Sequence, residues 1–149
     1  MCTTWSSHRS RRIALLQRQD GTSAIEFAIV APAFLLLLLG IISFGTLLGT
    51  YHGLQQLVAE ATRASVAGLD SNERATIARG YIARNADGYP FIDGTKLTVT
   101  TTESGPGNST FQVNLRYDMS DSFVFKIGEM LPLPSPIIVR TAAIQRGGY

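Results

Sequence analysis

The chain has 149 residues, about the length of one domain, and it is more apolar than a typical water-soluble protein. Hydrophobic residues make up 45% of it and charged residues 16%, whereas soluble domains carry roughly 25% charge. The length leaves no room for several domains, and the single cysteine, Cys2, excludes a disulfide framework. The apolar content also excludes disorder along the whole chain.

The net charge of +2 is located at the N-terminus. Residues 1–20 carry four arginines and one aspartate, whereas nine basic and nine acidic side chains balance each other beyond Tyr51. A basic tail is also found in nucleic-acid-binding proteins, but such an arm rarely continues directly into an apolar helix. We therefore expect no nucleic-acid partner.

The 22 residues from Phe27 to Leu48 contain no ionisable side chain. As a helix they reach about 33 Å, enough to cross a hydrocarbon core of about 30 Å. A helix that is apolar on every side must be buried in protein or in lipid, and the rest of the chain is too small to enclose it. The sequence predicts a transmembrane helix over residues 22–50, with the lipid bilayer as its surroundings. A cleaved secretory signal fits poorly, because its apolar core has about 7–15 residues.

The distribution of basic residues predicts the orientation of this helix. The arginines precede it, and the first basic residue after it is Arg63. Positively charged flanks remain on the cytoplasmic side of a membrane. We expect the N-terminus in the cytoplasm and residues 51–149 on the other side of the membrane, as an extracytoplasmic domain.

Small residues and a proline mark the predicted membrane helix. Gly45, Gly49 and Gly53 recur every four residues and share one helical face. Small side chains at this spacing allow a second helix to approach closely, so we predict a helix-packing face. Pro32 predicts a kink of the kind that membrane helices tolerate.

Glu26 stands immediately before the apolar run. A carboxylate buried in lipid costs several kcal/mol unless it is paired, so the residue has two interpretations. In the first, Glu26 marks the edge of the membrane. In the second, cleavage after Gly21 gives Thr22 a free ammonium group, and Glu26 of one subunit pairs with the new N-terminus of its neighbour.

The stretch from Gly21 to Pro32, GTSAIEFAIVAP, resembles the N-terminal signature of the TadE-like proteins. These are minor, pilin-like subunits of the tight-adherence (Tad/Flp) branch of type IV pilus and secretion machines. Their pattern is a basic leader, a glycine, four residues, a glutamate, an aromatic residue and a long apolar helix. Here the arginines, Gly21, Glu26 and Phe27 match it in order.

The resemblance implies a maturation step and a set of partners. A prepilin peptidase would cut between Gly21 and Thr22 on the cytoplasmic face, so residues 1–21 would be a leader peptide. Glu26 and Phe27 would form an assembly motif. The implied partners are the peptidase, other pilins or pseudopilins and the assembly platform in the bacterial inner membrane. The resemblance leaves open whether the protein itself enters the pilus or remains an assembly factor. No cofactor is implied.

Beyond the membrane helix, hydrophobic periodicity predicts an α+β domain. The long helix continues as an amphipathic helix to about Leu69, on an apolar stripe that includes Leu54, Leu57 and Leu69 itself. The sequence DSNE at residues 70–73 predicts a capping box that opens a short second helix from Glu73 to about Asn85.

Alternating residues then predict a three- to four-stranded antiparallel sheet. Residues 97–102 and 111–117 form a hairpin around a turn at residues 104–108. Residues 123–125 are a third, short strand, residues 131–136 a proline-rich extended connector, and a last strand begins at Ile137 and runs almost to Tyr149. Pilin-like proteins share this general plan of a helix packed on a sheet.

Catalytic and metal-binding patterns are absent from the sequence. His52 has no acidic residue within four positions, so no proton relay is indicated. Asp118 and Asp121 are too few for a calcium cage. We expect no enzyme, no catalytic residue and no metal site.

Two classes of function remain open. One is a pilin-like minor subunit or assembly factor. The other is a membrane-tethered extracytoplasmic binding or accessory domain that does not polymerise. A simple anchor needs no glycine and glutamate in fixed register, so Gly21 and Glu26 favour the first class.

Overall fold

The computed structural model describes residues 19–126 and 133–145, with the backbone alone described at residues 19–21 and 108. Most of the predicted leader, Cys2, the first two residues of the proline-rich connector and the end of the last strand lie outside the described residues. The chain divides into two units between Leu39 and Gly40. The first contains the beginning of the long helix, and the second contains the α+β domain.

The first helix, α1, runs from Gln19 to Ala64 and includes Pro32. A 3₁₀ turn follows at Ser65–Ala67. The placement of Leu69 on the packing stripe is wrong, because its side chain is 89% exposed. The reason is local: Gly68 is extended, with φ −73° and ψ 138°, so the chain leaves the helical path before Leu69.

The second helix, α2, comprises Ser71–Asn85 and begins with the predicted cap. The Glu73 backbone N–H donates to Asp70 Oδ1 at 2.8 Å, and Glu73 Oε2 accepts from the Leu69 backbone N–H at 2.8 Å. The second bond therefore reaches the residue before the cap. These bonds satisfy two backbone donors that a helix start otherwise leaves unpaired.

Three antiparallel strands form one sheet in the order β1-β2-β3. They are β1 at Leu97–Ser104, β2 at Thr110–Asp118 and β3 at Ile137–Gln145. Leu97 pairs with Tyr117 across the predicted hairpin, and Asp118 pairs with Ile137. The predicted fold class, α+β with a long helix, a short helix and a small antiparallel sheet, is confirmed.

The short strand predicted at residues 123–125 is wrong, because Phe123–Lys126 is a single helical turn, α3. Asp118 Oδ1 accepts from the Ser120 backbone N–H at 2.9 Å and turns the chain away from the sheet. Ser122 O then accepts from the backbone N–H groups of Phe125 and Lys126. Local backbone bonding therefore overrides the alternation of apolar residues here.

The core of the domain contains α1, α2, β2 and β3. The buried face of α1 begins at Ser43 and continues through Leu47 and Thr50. Further along, fully buried residues recur at helical spacing. The principal core residues are Leu54, Leu57, Val58, Ala61, Ala78, Ile82, Phe111, Val113, Leu115 and Ile138.

Candidate membrane and assembly segment

Most side chains in the first part of α1 are exposed. A helical stretch at Thr22–Ala67 is long and apolar enough to cross a membrane, and only 6% of its 18-residue apolar window is buried. Phe27 is 73% exposed and Leu37 59% exposed. Each such side chain gains about 1.5–3 kcal/mol on leaving water, so water is a poor environment for this segment. The helix is compatible with a single-pass membrane anchor.

The exposed side of α1 changes character within one turn. Phe44 and Leu48 are exposed and apolar. From His52 to the end of α1 the exposed side chains are polar, namely those of His52, Gln55, Gln56, Glu60 and Arg63. The apolar exposed side therefore ends between Leu48 and His52, while the opposite face already belongs to the core.

Thr22 and Glu26 lie one helical turn apart, both exposed, at the beginning of α1. Among the residues that the structure describes, none forms a salt bridge with Glu26. Residues four apart share a helical face, so the side chains of Thr22 and Glu26 lie on the same side.

Beside them is an apolar groove of about 320 Å³ on one face of the helix. Its lining is contributed by the residues Phe27, Val30, Ala31, Phe34 and Leu35. Their spacing of three and four residues is that of a single helical face, with Ala31 as the smallest member. The aromatic residue of the predicted assembly motif therefore borders a surface into which an apolar side chain fits.

The glycine stripe lies partly against the chain's own loop. A Cβ atom built on Gly49 would lie 3.2 Å from Phe91 Cδ2, and one on Gly53 would lie 3.0 Å from Ile92 Cδ1. A Cβ on Gly45 would meet nothing within 4 Å. The described chain itself thus fills the small-residue face at Gly49 and Gly53 and leaves it open at Gly45, where packing by another helix stays a prediction.

The segment Tyr89–Ile92, which we call the membrane-proximal loop, is held in an unusual conformation. Phe91 has φ +66° and is the one non-glycine residue with positive φ in the described ranges. This left-handed conformation costs about 1–2 kcal/mol for a residue with a Cβ. The Tyr117 hydroxyl donates to Phe91 O at 3.3 Å and accepts from the Asp93 backbone N–H at 3.1 Å. The sequence shows only that Pro90 favours a turn here.

A carboxylate and two phenols link this loop to both helices. The hydroxyls of Tyr81 and Tyr89 donate to Glu60 Oε2 at 2.7 and 2.8 Å. The bond from Tyr81, followed by that from Tyr89, lowers the pKa of Glu60. Burial, followed by the bond to Glu60, raises the pKa of Tyr89 to about 12. At neutral pH the carboxylate stays charged and Tyr89 stays protonated, so both hydrogen bonds are retained. The cluster therefore connects α1, α2 and the loop. Sequence reasoning missed it, because no local pattern joins residues this far apart.

The remaining polar candidates are not brought together. His52 is exposed. Asp118 Oδ1 is bonded to Ser120, and Asp121 Oδ2 lies 3.9 Å from Lys96 Nζ. Within residues 19–126 and 133–145, no group of three or more His, Cys, Asp and Glu side chains is arranged to hold a metal ion.

Comparison with known protein families is informative for α1. The model of the family described as TadE-like protein matches residues 21–63. Over these residues the chain is similar to the TadE-like family. The match confirms the resemblance carried by Gly21, Glu26 and Phe27. No curated protein and no solved structure matches the chain.

The first and last residues of the TadE-like match can be compared with the bounds of α1. It begins at Gly21 and ends one residue before the end of α1. The TadE-like segment therefore includes both the exposed apolar part of the helix and the part that carries the core of the domain. The helix α2 and the sheet lie outside the match.

Proposed function

We propose that this protein is a pilin-like minor subunit or assembly factor of a Tad/Flp-type pilus or secretion machine. The supporting observation is the TadE-like match over residues 21–63. The helix that carries this match is exposed and apolar in its first part and contributes buried residues to the core of the domain in its second part. A subunit that passes from a membrane into an assembly needs a helix of this kind. The protein is anchored in the bacterial inner membrane with its N-terminus in the cytoplasm and its domain outside.

Maturation by a prepilin peptidase between Gly21 and Thr22 is part of the proposal. Gly21 has no Cβ, so the enzyme can approach the backbone closely. Cleavage removes the basic leader and leaves an ammonium group on Thr22. The partners are the peptidase, other pilins or pseudopilins and the assembly platform.

Glu26 then acts in assembly. Its exposure leaves the carboxylate accessible to the new N-terminus of a neighbouring subunit. In a low-dielectric setting, removal of one member of such a pair strands the other charge, which costs on the order of a few kcal/mol. Since about 1.4 kcal/mol corresponds to a tenfold change in affinity, association would fall by a factor of ten or more. Phe27 and its groove supply an adjacent apolar contact.

Glu26→Ala tests this role, with Glu26→Asp as the matched control that retains a carboxylate. We expect Glu26→Ala to be made, cleaved and inserted at normal levels but to fail in co-purifying partner pilins and in restoring surface pili. Glu26→Asp should retain part of both activities. Normal piliation by Glu26→Ala would show that Glu26 only marks the membrane edge. A tethered accessory domain that does not polymerise would show neither leader cleavage nor any effect of Glu26→Ala on co-purification.

A further inference from the structure

The conformation of Phe91 is not explained by the packing of the domain. A left-handed backbone favours glycine, yet this position carries a large aromatic side chain. The ring is 59% exposed, so burial in the core does not compensate for the strain. Tyr117, itself 5% exposed, holds the backbone from Phe91 O to the Asp93 N–H through its hydroxyl. Strained residues of this type are concentrated at functional sites.

The ring lies at the level where the exposed side of α1 turns from apolar to polar. Its Cδ2 atom is the nearest neighbour of a Cβ built on Gly49, which directly follows the last residue of the apolar run. Phe44 and Leu48 are exposed on one side of this level, and the exposed residues beyond it begin with His52. Phe91 thus extends the exposed apolar surface of α1 at its outer limit.

The polar groups around the loop point to the same boundary. The Tyr89 hydroxyl is bonded to Glu60, which lies further along α1 than His52. Arg140 stands over the Tyr51 ring, 4.5 Å from its centroid. Tyr51 is two residues from Gly49, which places it about 3 Å further along the helix and about 200° around it. Tyrosine side chains are enriched at membrane–water interfaces, where interfacial tyrosines and arginines act as anchors.

We propose that the membrane-proximal loop docks on the outer leaflet of the bilayer, with the Phe91 ring at the boundary between headgroups and acyl chains. The occupant of this surface is lipid, because the exposed ring lies beside Gly49, where the exposed apolar side of α1 ends. This inference rests on the proposed membrane anchor. The loop fixes the depth at which the domain sits on the membrane, through an aromatic residue that Tyr117 holds in place.

The test uses the full-length protein in phosphatidylcholine vesicles. In a Trp5→Phe background, Phe91→Trp gives one fluorophore at the loop. Its emission should be blue-shifted, and lipids brominated near the headgroup should quench it more than lipids brominated near the chain ends. Leu37→Trp is the control for insertion of the helix and should be quenched best by the deeper bromines. Leu69 is 89% exposed and lies beyond the end of α1, so Leu69→Trp should be quenched by neither brominated lipid.

The outcomes separate this inference from the anchor on which it rests. Quenching at Leu37→Trp without quenching at Phe91→Trp leaves the anchor intact and overturns the docking. If Leu37→Trp is not quenched either, the membrane anchor and the docking both fail. If Phe91→Trp is shielded from aqueous acrylamide but not quenched by brominated lipid, protein covers the ring and the proposal is wrong.

A second variant separates docking from folding. Phe91→Gly relieves the left-handed backbone and removes the ring, so the domain should retain its thermal unfolding midpoint within a few degrees in detergent. In vesicles and in the Trp5→Phe background, a tryptophan at Leu48 should be quenched less selectively by the shallow bromines when Phe91→Gly is added, because the loop no longer fixes the depth of the helix. Unchanged quenching at Leu48→Trp in the Phe91→Gly background would contradict the proposal.

Discussion

The substitution Leu54→Ala tests whether the second part of α1 is the core of the domain. Leu54 is completely buried, and its neighbours along the same helical face, Leu57 and Val58, are buried as well. Truncation of a buried leucine to alanine costs about 2–5 kcal/mol through lost transfer energy and the cavity left behind. The matched control is Leu48→Ala in the same helix. Leu48 is 55% exposed, and a substitution at an exposed site changes stability by about 0.5 kcal/mol or less.

The assay is thermal unfolding of the full chain in detergent micelles, followed by the near-ultraviolet circular dichroism of the tyrosines. A change of 1 kcal/mol moves the midpoint of a domain of about this size by roughly 4–8 °C. Leu54→Ala should therefore lower the midpoint by at least about 8 °C, whereas Leu48→Ala should lower it by about 4 °C or less. Equal shifts for the two variants would refute the assignment of one α1 face to the core and the other to the surroundings.

Three further predictions concern the domain and its orientation. Tyr117→Phe removes two hydrogen bonds, to Phe91 O and from the Asp93 N–H, each worth about 0.5–1.5 kcal/mol, so it should lower the unfolding midpoint and speed amide exchange at residues 91–93. Hydrogen bonds from Tyr81 and Tyr89 hold the pKa of Glu60 below its ordinary 4.5, so their stabilisation is present above pH 4.5 and is lost as the pH falls through the lower folded pKa. The pKa of Tyr89 is raised from 10.0 to about 12, so its contribution is present below pH 10 and is lost as the pH rises through about 12. The unfolding midpoint, measured as a function of pH, should fall at both the acid and the alkaline end. Glu60→Gln should reduce the fall at the acid end. A phosphatase fused after Tyr149 should be active, and a reporter that needs the cytoplasm should not.

The parts of the fold that sequence predicts are those set by local physics. The charge-free run, the cap formed by Asp70 and Glu73 and the alternation in β1 and β2 each depend on residues close in the chain. The TadE-like motif is also local. These features were therefore visible before any tertiary contact was known.

The sequence-based predictions fail, or miss a feature, where contacts between distant residues or competing local hydrogen bonds determine the structure. Alternation predicted a strand at residues 123–125, but hydrogen bonds to Ser122 formed a helical turn instead. The bond from Tyr89 to Glu60 joins residues 29 positions apart, and no periodicity signals it. The sequence showed that Gly49 and Gly53 present a small face but could not show that Phe91 and Ile92 pack against it. Only the path of the chain after α2 determines that contact.

The N-terminus of the protein in native membranes tests the central claim most directly. Intact mass and N-terminal sequencing should show a chain that begins at Thr22 in cells with the prepilin peptidase and an uncut chain in cells without it. Gly21→Val should remain uncut in both, because a branched side chain blocks approach to the scissile backbone. If the native protein retains Cys2 and Trp5 in cells with an active peptidase, the account of a processed pilin-like subunit is contradicted.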